Sequence, residues 1–588
     1  MTGNSHQANL IKAEKELLEL KKKLANSSNI ILDFETTNSD LFNSQVSGIG
    51  IALSSKEAYY ISAKSLPIQK ICQELMPVLQ IKQLGGHNVI YDIIIGKRFG
   101  FDLNYYYDTK MMFHMLFPDE YQNRLRHIVQ RYLPTYKLIL IEDLIGSGRK
   151  KITIGEVSEE RLAEYSNCEV LAIAQLIQYL KDDLYRNDLW KCYIQLNQPL
   201  LRILADMTYQ GIKLDIPRLL ELKEEYEKAL KHEQNLIHKI AGKEFNLNSP
   251  KQVIEILQDR NVRIPFMTDK GQLSVNEDSL EEIYESTGDV LCYHLLKYRK
   301  KMKILSTYLN PFLEQIDDNQ RLHSRFHLTV TATGRLASSA PNLQNVPPEI
   351  REVFIADSNK MLIIADYSQI ELRILAYLSG DKNMLEAFKK NRDIHSETAR
   401  IFGNKYDEKT ARLKSKIVNF SMIYGASVSR IAHELEVDLS VAEKFVQNFY
   451  ELYPSVSFYQ KALFRLARRL GYIRTIGGWK RQFPKINSKN FWERKMAERM
   501  VLNTPIQGSA SDIIKAAMID LVKELDKNKM SGKLLLQVHD ELVLEVPKDE
   551  IHQTKKIIEK SMLKNGFFPA IEPLLKINLD VNKRWVKT

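Results

Sequence analysis

KLLLQVHDELVLEVP (Lys533 to Pro547) constrains the fold more than any other stretch of this chain. Two apolar runs flank a charged trio, the pattern of a hairpin whose turn carries His539, Asp540 and Glu541. A second apolar run, MLIIA, ends at Asp366 and leads into IELRILAYL, a buried strand running into a helix. Acids at a strand end and on a hairpin turn can together hold a hard cation such as Mg²⁺, which prefers oxygen ligands. Two such ions about 3.5–4 Å apart support phosphoryl transfer. Taken singly, each acid reads more simply as a turn residue or a helix cap, so the surrounding pattern has to decide.

At 588 residues, the chain is long enough for three to five folding units at roughly 100–200 residues each. MTGNSHQANLIKAEKELLELKKKL is a polar, helix-prone lead-in without the apolar core of a signal segment. NIILDFETT reads as a buried strand and VSGIGIALSSKEAYYI as a strand meander. Helical patterns then alternate with short apolar stretches to about residue 180, an α/β layout. The first boundary is expected near residue 190. LWKCYIQLNQPLLRILADMTYQGIKLD is amphipathic, with Gly211 as its helix stop. Residues 212–310 are helical in pattern, with Ser249 capping the helix that begins KQVIEIL. LHSRFHLTVTATGRL is strand-like, and residues 383–470 read as mostly helical.

Cys72, Cys168, Cys192 and Cys292 are scattered, with no Cys-x-x-Cys, which excludes a disulfide scaffold and a cysteine-rich zinc module. No apolar run reaches the length of a membrane span, so no membrane partner is expected. The 84 basic against 73 acidic side chains leave a net charge of +11, a modest hint of a polyanionic partner.

Arg412, Lys416, Phe420 and Tyr424 stand four residues apart, within a sector of roughly 120° on one helix face. Two cations followed by two rings suit a triphosphate, then a sugar and base. An amphipathic helix with core aromatics has the same spacing.

DYSQIELR (Asp366 to Arg373) and VHDE (Val538 to Glu541) resemble the two palm-carboxylate motifs of family A DNA polymerases, the bacterial polymerase I type. RLKSKIVNFSMIYG (Arg412 to Gly425) resembles that family's nucleotide-binding helix. TATGRLASSAPNLQNVP (Thr331 to Pro347) and RMVLNTPIQGSASDIIK (Arg499 to Lys515) resemble two further motifs, all in the family's order. The resemblance implies catalytic acids Asp366, Asp540 and Glu541, with two Mg²⁺ ions held by Asp366 and Asp540 and Mn²⁺ able to replace them. It implies triphosphate contacts from Arg412, Lys416, His395 and Gln369, with Lys416 the proton donor to pyrophosphate. Phe420 packs on deoxyribose, Tyr424 stacks near the templating base, and Glu371 crowds a ribose 2′-OH. Arg335, Gln344, Arg499, Asn503, Gln507 and His539 are implied as primer–template contacts. Ser421 departs from the family's usual glycine.

Asp33 and Glu35 project from one strand face, with Asp92 following in NVIYD and Tyr165 and Glu169 in EYSNCEV. This order resembles the DnaQ-like 3′–5′ exonuclease module, with Asp33, Glu35, Asp92 and Glu169 as ligands of a second metal pair. Glu169 stands where that pattern usually has aspartate, which points to looser ligand geometry and a reduced rate.

The expected fold is therefore α/β and multidomain. A ribonuclease H-like exonuclease domain (1–190) precedes a right-hand polymerase domain (191–588), with a thumb at about 212–320. The palm falls at about 321–380 and 475–588, and the fingers at about 381–474. The expected activity is template-directed DNA synthesis from dNTPs with proofreading, for replication and repair, by a monomer working with helicase/primase and single-strand-binding proteins. Glu371 and Phe420 argue against ribonucleotide use, and the exonuclease motifs against a reverse transcriptase. The intact acids argue against an inactive DNA-binding scaffold. No 5′-nuclease pattern precedes the exonuclease motifs. Lysine-, asparagine- and isoleucine-rich usage resembles the plastid members of the family in apicomplexan parasites, making the apicoplast the expected location, with bacterial cytoplasm or another DNA-containing organelle as the alternative. The charge excess is expected on helices such as LLKYRKKMKIL and FRLARRLGYIR, following phosphates and making DNA affinity salt-dependent.

Overall fold

NIILDFET is covered along nearly its whole length because it becomes an inner strand of a six-stranded sheet. The computed structural model describes residues 9–148, 151–268, 270–403 and 405–587. The first eight residues of the polar lead-in lie outside the described residues, and the rest includes a helix, Glu14–Asn26. The sheet contains β1 (Asn9–Ile11), β2 (Asn29–Thr36), β3 (Val46–Ala52), β4 (Ala58–Ser62), β5 (Gln83–Gly86) and β6 (Tyr105–Asp108), in the order β1-β4-β3-β2-β5-β6. β2 runs antiparallel to β3 and parallel to β5. The helices of this half include α1 (Ile90–Arg98) and α2 (Thr109–Leu116). A long helix, α3 (Glu159–Arg186), lies against β3 and β4. Gly50 allows that close approach, because a Cβ there would collide with the Ser166 side chain.

The chain divides into two compact units. One comprises Met1–Tyr209, Phe326–Ser338 and Ile363–Val581; the other comprises Gln210–Arg325, Ser339–Leu362 and Asn582–Thr588. In the first unit, the run ending at Asp366 is strand β7 (Lys360–Tyr367), and the hairpin is β8 (Lys533–Val538) with β9 (Glu541–Pro547). With β10 (Ile577–Asn582) they form a sheet in the order β8-β9-β7-β10. The strand-into-helix expectation holds: α4 (Ile370–Ser379) follows β7. Asp407 caps α5 (Glu408–Tyr424), which stops at Gly425 with φ +64°. α6 (Phe491–Lys527) is 37 residues long and is capped by Asn490.

The second unit holds the segment expected as a thumb. Its helices Ile216–Ala241, Pro250–Asp259, Glu277–Thr287 and Val290–Ile304 enclose a core that includes Ile237, Val253, Leu257, Leu280, Leu291 and Leu295. Ser249 caps Pro250–Asp259 as expected, its hydroxyl accepting from the Gln252 amide.

Two sequence expectations are corrected. FRLARRLGYIR is not one helix: it stops at Leu470, Gly471 turns at φ +77°, and Tyr472–Arg474 is a strand. Arg474 spends its guanidinium on the carbonyls of Asn187, Asp188 and Gly478. LHSRFHLTVTATGRL yields only the short strands Arg321–Leu322 and Arg325–His327 and then leaves extended pairing. Side chains take the carbonyls that a strand partner would have used. Asn123 donates to the Thr329 carbonyl (2.9 Å), Trp479 Nε1 to Ala332 (3.2 Å) and Ser511 to Gly334 (2.8 Å). His114 Nε2 lies 3.1 Å from the Thr331 carbonyl, and because a carbonyl only accepts, Nε2 carries the proton. Burial holds this imidazole down at about 4, so it stays neutral. Gly334 sits at φ +75° with the Trp479 ring against its α-carbon. A further link is buried Arg481, whose Nε and Nη2 both donate to the Asp119 carboxylate.

Candidate active sites

The first site is built at the ends of β7 and the β8–β9 hairpin. Val538 pairs with Glu541, leaving His539 and Asp540 as the turn. His539 takes φ +57°, a region few non-glycine residues adopt. The Tyr367 amide donates to the Asp540 carbonyl at 3.1 Å, tying the turn to the end of β7 beside Asp366. Glu541 is buried at the start of β9. Buried Ala365 and Tyr367 flank Asp366, and the Tyr367 hydroxyl donates to the Met562 carbonyl at 2.6 Å. Asp366 and Asp540 thus stand at adjoining strand ends and offer oxygen ligands of the kind Mg²⁺ takes.

Three of the four residues expected on one helix face share a cleft with α6. Lys416, Phe420 and Tyr424 of α5 and Arg499, Asn503 and Gln507 of α6 line one cleft of about 730 Å³. The Phe420 and Tyr424 rings lie nearly parallel at 15°, with centroids 6.3 Å apart. Asn503 Oδ1 is buried without a hydrogen-bond partner, a polar atom waiting for a donor. Ser421, the departure from glycine, is buried and small enough to leave the helix regular.

Arg412, one turn before Lys416, turns to Asp393 instead: its Nε donates to Asp393 Oδ2 at 2.6 Å, while Gln369 Nε2 donates to Asp393 Oδ1 at 3.2 Å. Burial works to raise the Asp393 carboxyl, but donors Ser396, Arg412 and Gln369 outweigh it and hold it at about 2. Asp393, which was not among the expected site residues, also caps the short helix Ile394–Ala399. The Asp-x-x-Ser cap was the available signal. His395 is buried beneath Phe420, with ring centroids 6.1 Å apart and Nδ1 2.9 Å from the Asn419 amide nitrogen. Burial, and then Lys416 and Arg412, push it down to about 4, so it is neutral with its proton on Nε2. Glu371 is buried in the first turn of α4, receives the Tyr424 hydroxyl at 2.5 Å and pairs with Arg335. Gln344 belongs to the other unit, buried in the turn Leu343–Asn345.

The second site is an acid cluster on the six-stranded sheet. Asp33 and Glu35 point from one face of β2, and α3 brings Glu169 to them; ligand oxygens of all three lie within 4.8 Å of one another. The extra methylene of Glu169 does not keep it out of the cluster. Tyr165 lies one turn earlier on α3, buried. Asp92 stands outside the group of three and spends Oδ1 on the Phe34 amide at 3.0 Å, between the two β2 acids.

Burial raises Asp33 to about 7. Burial and the Asp33 charge raise Glu169 to about 8. Burial raises Glu35 and Asp92 as well, with Asp33 adding to both. Glu35 Oε1 is buried without a hydrogen-bond partner. Converging carboxylates with an orphaned oxygen fit a divalent cation. In metal-free buffer the folded chain holds more protons on these acids than the unfolded chain between about pH 4 and 8. Its stability must therefore fall as pH rises across that window. The exonuclease-like part should melt several degrees lower at about pH 8.5 than at about pH 6 in EDTA, and millimolar Mg²⁺ should restore it. Calorimetry checks this, and a melting temperature that climbs with pH contradicts it.

A model of DNA polymerase family A matches residues 216–587, and a model of 3′-5′ exonuclease matches residues 8–185. DNA polymerase I of Bacillus caldotenax is 38% identical over 435 residues, covering 72% of this chain and 49% of that protein. DNA polymerase I of Borreliella burgdorferi is 34% identical over 589 residues, covering 97% of this chain and 63% of that protein. The chain thus spans about half to just under two-thirds of the length of these relatives. Among solved structures, the POL domain of Pol1 from M. smegmatis, in complex with DNA primer-template and dNTP, is similar over 98% of this chain and 99% of that one. Its TM-score is 0.88 at 27% identity. Among the described residues, no helix is long and apolar enough to cross a membrane.

Proposed function

The chain belongs to DNA polymerase family A, and from that premise we propose that it extends a DNA primer along a template with dNTPs and trims mismatched 3′ ends at a second site. The observation that carries the reading is the Tyr367–Asp540 backbone hydrogen bond, which ties the strand end next to Asp366 to the turn that carries Asp540. Divalent ions, Mg²⁺ or Mn²⁺, held by Asp366 and Asp540 would supply charge neutralisation and activation of the primer hydroxyl. The rest of the work belongs to the chain's own side chains, as positioning and electrostatics.

Lys416 holds its Nζ ready to protonate the departing pyrophosphate. Arg412 shares its guanidinium between Asp393 and the triphosphate, with Gln369 bracing the same carboxylate. His395, neutral, donates Nε2–H to a phosphate oxygen. Phe420 packs on the deoxyribose, and Tyr424 stacks beside the templating base. Arg499, Asn503 and Gln507, with Arg335, Gln344 and His539, contact primer and template, where minor-groove acceptors report pair shape without regard to sequence. At the second site Asp33, Glu35 and Glu169, with the remaining oxygen of Asp92, would hold divalent ions that supply activation of a water; Asp92 also accepts from the β2 backbone through Oδ1, and Tyr165 orients the attack. Lysine-over-arginine usage is compatible with an AT-rich coding sequence, and the apicoplast is the setting we favour.

Extension of a labelled primer by the purified chain, with excision of a mismatched 3′ end, tests the whole reading; absence of extension overturns it. Glu371 supplies a finer test. Glu371→Ala opens the space beside the sugar, so the preference for dNTP over rNTP should fall roughly tenfold to a hundredfold. Competitive incorporation assays read that ratio, and an unchanged ratio removes Glu371 from sugar selection.

A further inference from the structure

The face of α6 that lines the cleft does not end at the cleft. At 100° per residue, Trp492, Met496, Arg499, Met500, Asn503 and Gln507 all fall within a sector of roughly 100°. From Gln507 to Trp492 this stripe runs about 22 Å along the axis at 1.5 Å per residue. Its outer end is bare: Met496, at the rim of the cleft, is 54% exposed, and Trp492, one turn farther out, 78%. Trp479 and Trp585 are buried and Trp190 is partly covered, stacked between Tyr185 and Tyr193, so Trp492 is the outlying member of four tryptophans.

The surroundings are cationic. Lys485, Lys489, Arg494, Lys495 and Arg499 stand against two acids in this stretch. Both acids are matched by nearby cations, Glu493 by Lys485 and Glu498 by Arg468 and Lys495. Phe491, also exposed, has the Arg494 and Lys495 cations within 5.8 Å of its ring centroid.

We propose that Trp492 and Met496 form a stacking platform for the unpaired template strand, continuing outward the cleft that Arg499, Asn503 and Gln507 line. Exposed aromatic rings among cations bind single strands because every base has a stackable face and every linkage a charge. Continuity with the cleft-lining face favours DNA as the occupant over a protein partner. The inference rests on the polymerase reading above, and its test separates the two.

Tryptophan fluorescence is titrated with a blunt duplex and with the same duplex carrying a ten-nucleotide 5′ template extension. The extended DNA should quench the signal and the blunt duplex should leave it nearly unchanged. Trp492→Phe should abolish the quench but keep affinity. Trp492→Ala should weaken binding of the extended DNA roughly five- to a hundredfold, with blunt-duplex affinity preserved. Equal loss on both duplexes, or no loss on either, overturns the platform while leaving the polymerase reading intact. Failure to bind either duplex before substitution overturns the polymerase reading instead. Quenching that grows with protein concentration in the absence of DNA assigns the patch to a second copy of the chain and overturns the proposal.

Discussion

An Asp366→Asn chain binds primer–template DNA nearly as well as the unsubstituted protein and extends it between a hundred and ten thousand times more slowly, as single-turnover extension of a labelled primer will measure. The magnitude follows from what the side chain supplies. A carboxylate that holds a catalytic cation accounts for several kcal/mol of transition-state stabilisation, and each 1.4 kcal/mol or so is a factor of ten in rate. Asparagine keeps the shape and loses the charge. The fold has little reason to object, because the neighbouring Ala365 and Tyr367 hold β7 in its sheet by their own burial. Digestion of a frayed 3′ end should persist in this variant, since Asp33, Glu35 and Glu169 form a separate cluster. Undiminished extension would remove Asp366 from the chemistry altogether.

The second large effect is the mirror of the first. Asp33→Asn with Glu35→Gln should remove digestion of a mismatched 3′ end to a comparable extent and leave extension of a matched primer unchanged. It carries a signature that mere misfolding would not produce. Glu35 is buried and Asp33 partly so, and desolvation raises both. Replacing them with amides removes part of a charge-burial cost that grows with pH, so melting of the metal-free double variant should depend on pH more weakly than that of the parent, the remainder coming from Glu169 and Asp92. Gel assays of excision and calorimetry at two pH values read both consequences. Persistent excision in the double variant would sink the assignment.

The parts legible in the sequence were those encoded by period and punctuation. The hairpin, the strand ending at Asp366 and the α5 face are regular patterns cut by residues that stop them, such as Gly425. What stayed hidden depends on contacts far apart in the chain. Nothing in a linear pattern says that Arg412 and Gln369 converge on Asp393, because that acid looks like an ordinary helix cap and is one. Asp92 sits in the expected motif, and its Oδ1 also accepts from the Phe34 amide, a contact that spacing cannot carry. The positive φ of His539 is imposed by the sheet around it, not by a residue type that seeks it. Thr329–Gly334 misled because threonine alternation is a strand signal, while its carbonyls are claimed by side chains from elsewhere in the chain.

That last segment bears on how a lineage could give up proofreading. Silencing the exonuclease needs only the exchange of an acid, which leaves every packing contact in place. Deleting the domain is another matter, because His114 and Asn123 supply two of the four donors that hold the strap ending in Arg335, and Asp119 neutralises Arg481. Each lost donor to a group that remains covered costs on the order of 1–3 kcal/mol, and the loss falls next to the residue that pairs with Glu371. A descendant with no use for editing would therefore keep the domain as an inert buttress, its acids free to drift while His114 and Asn123 stay under selection.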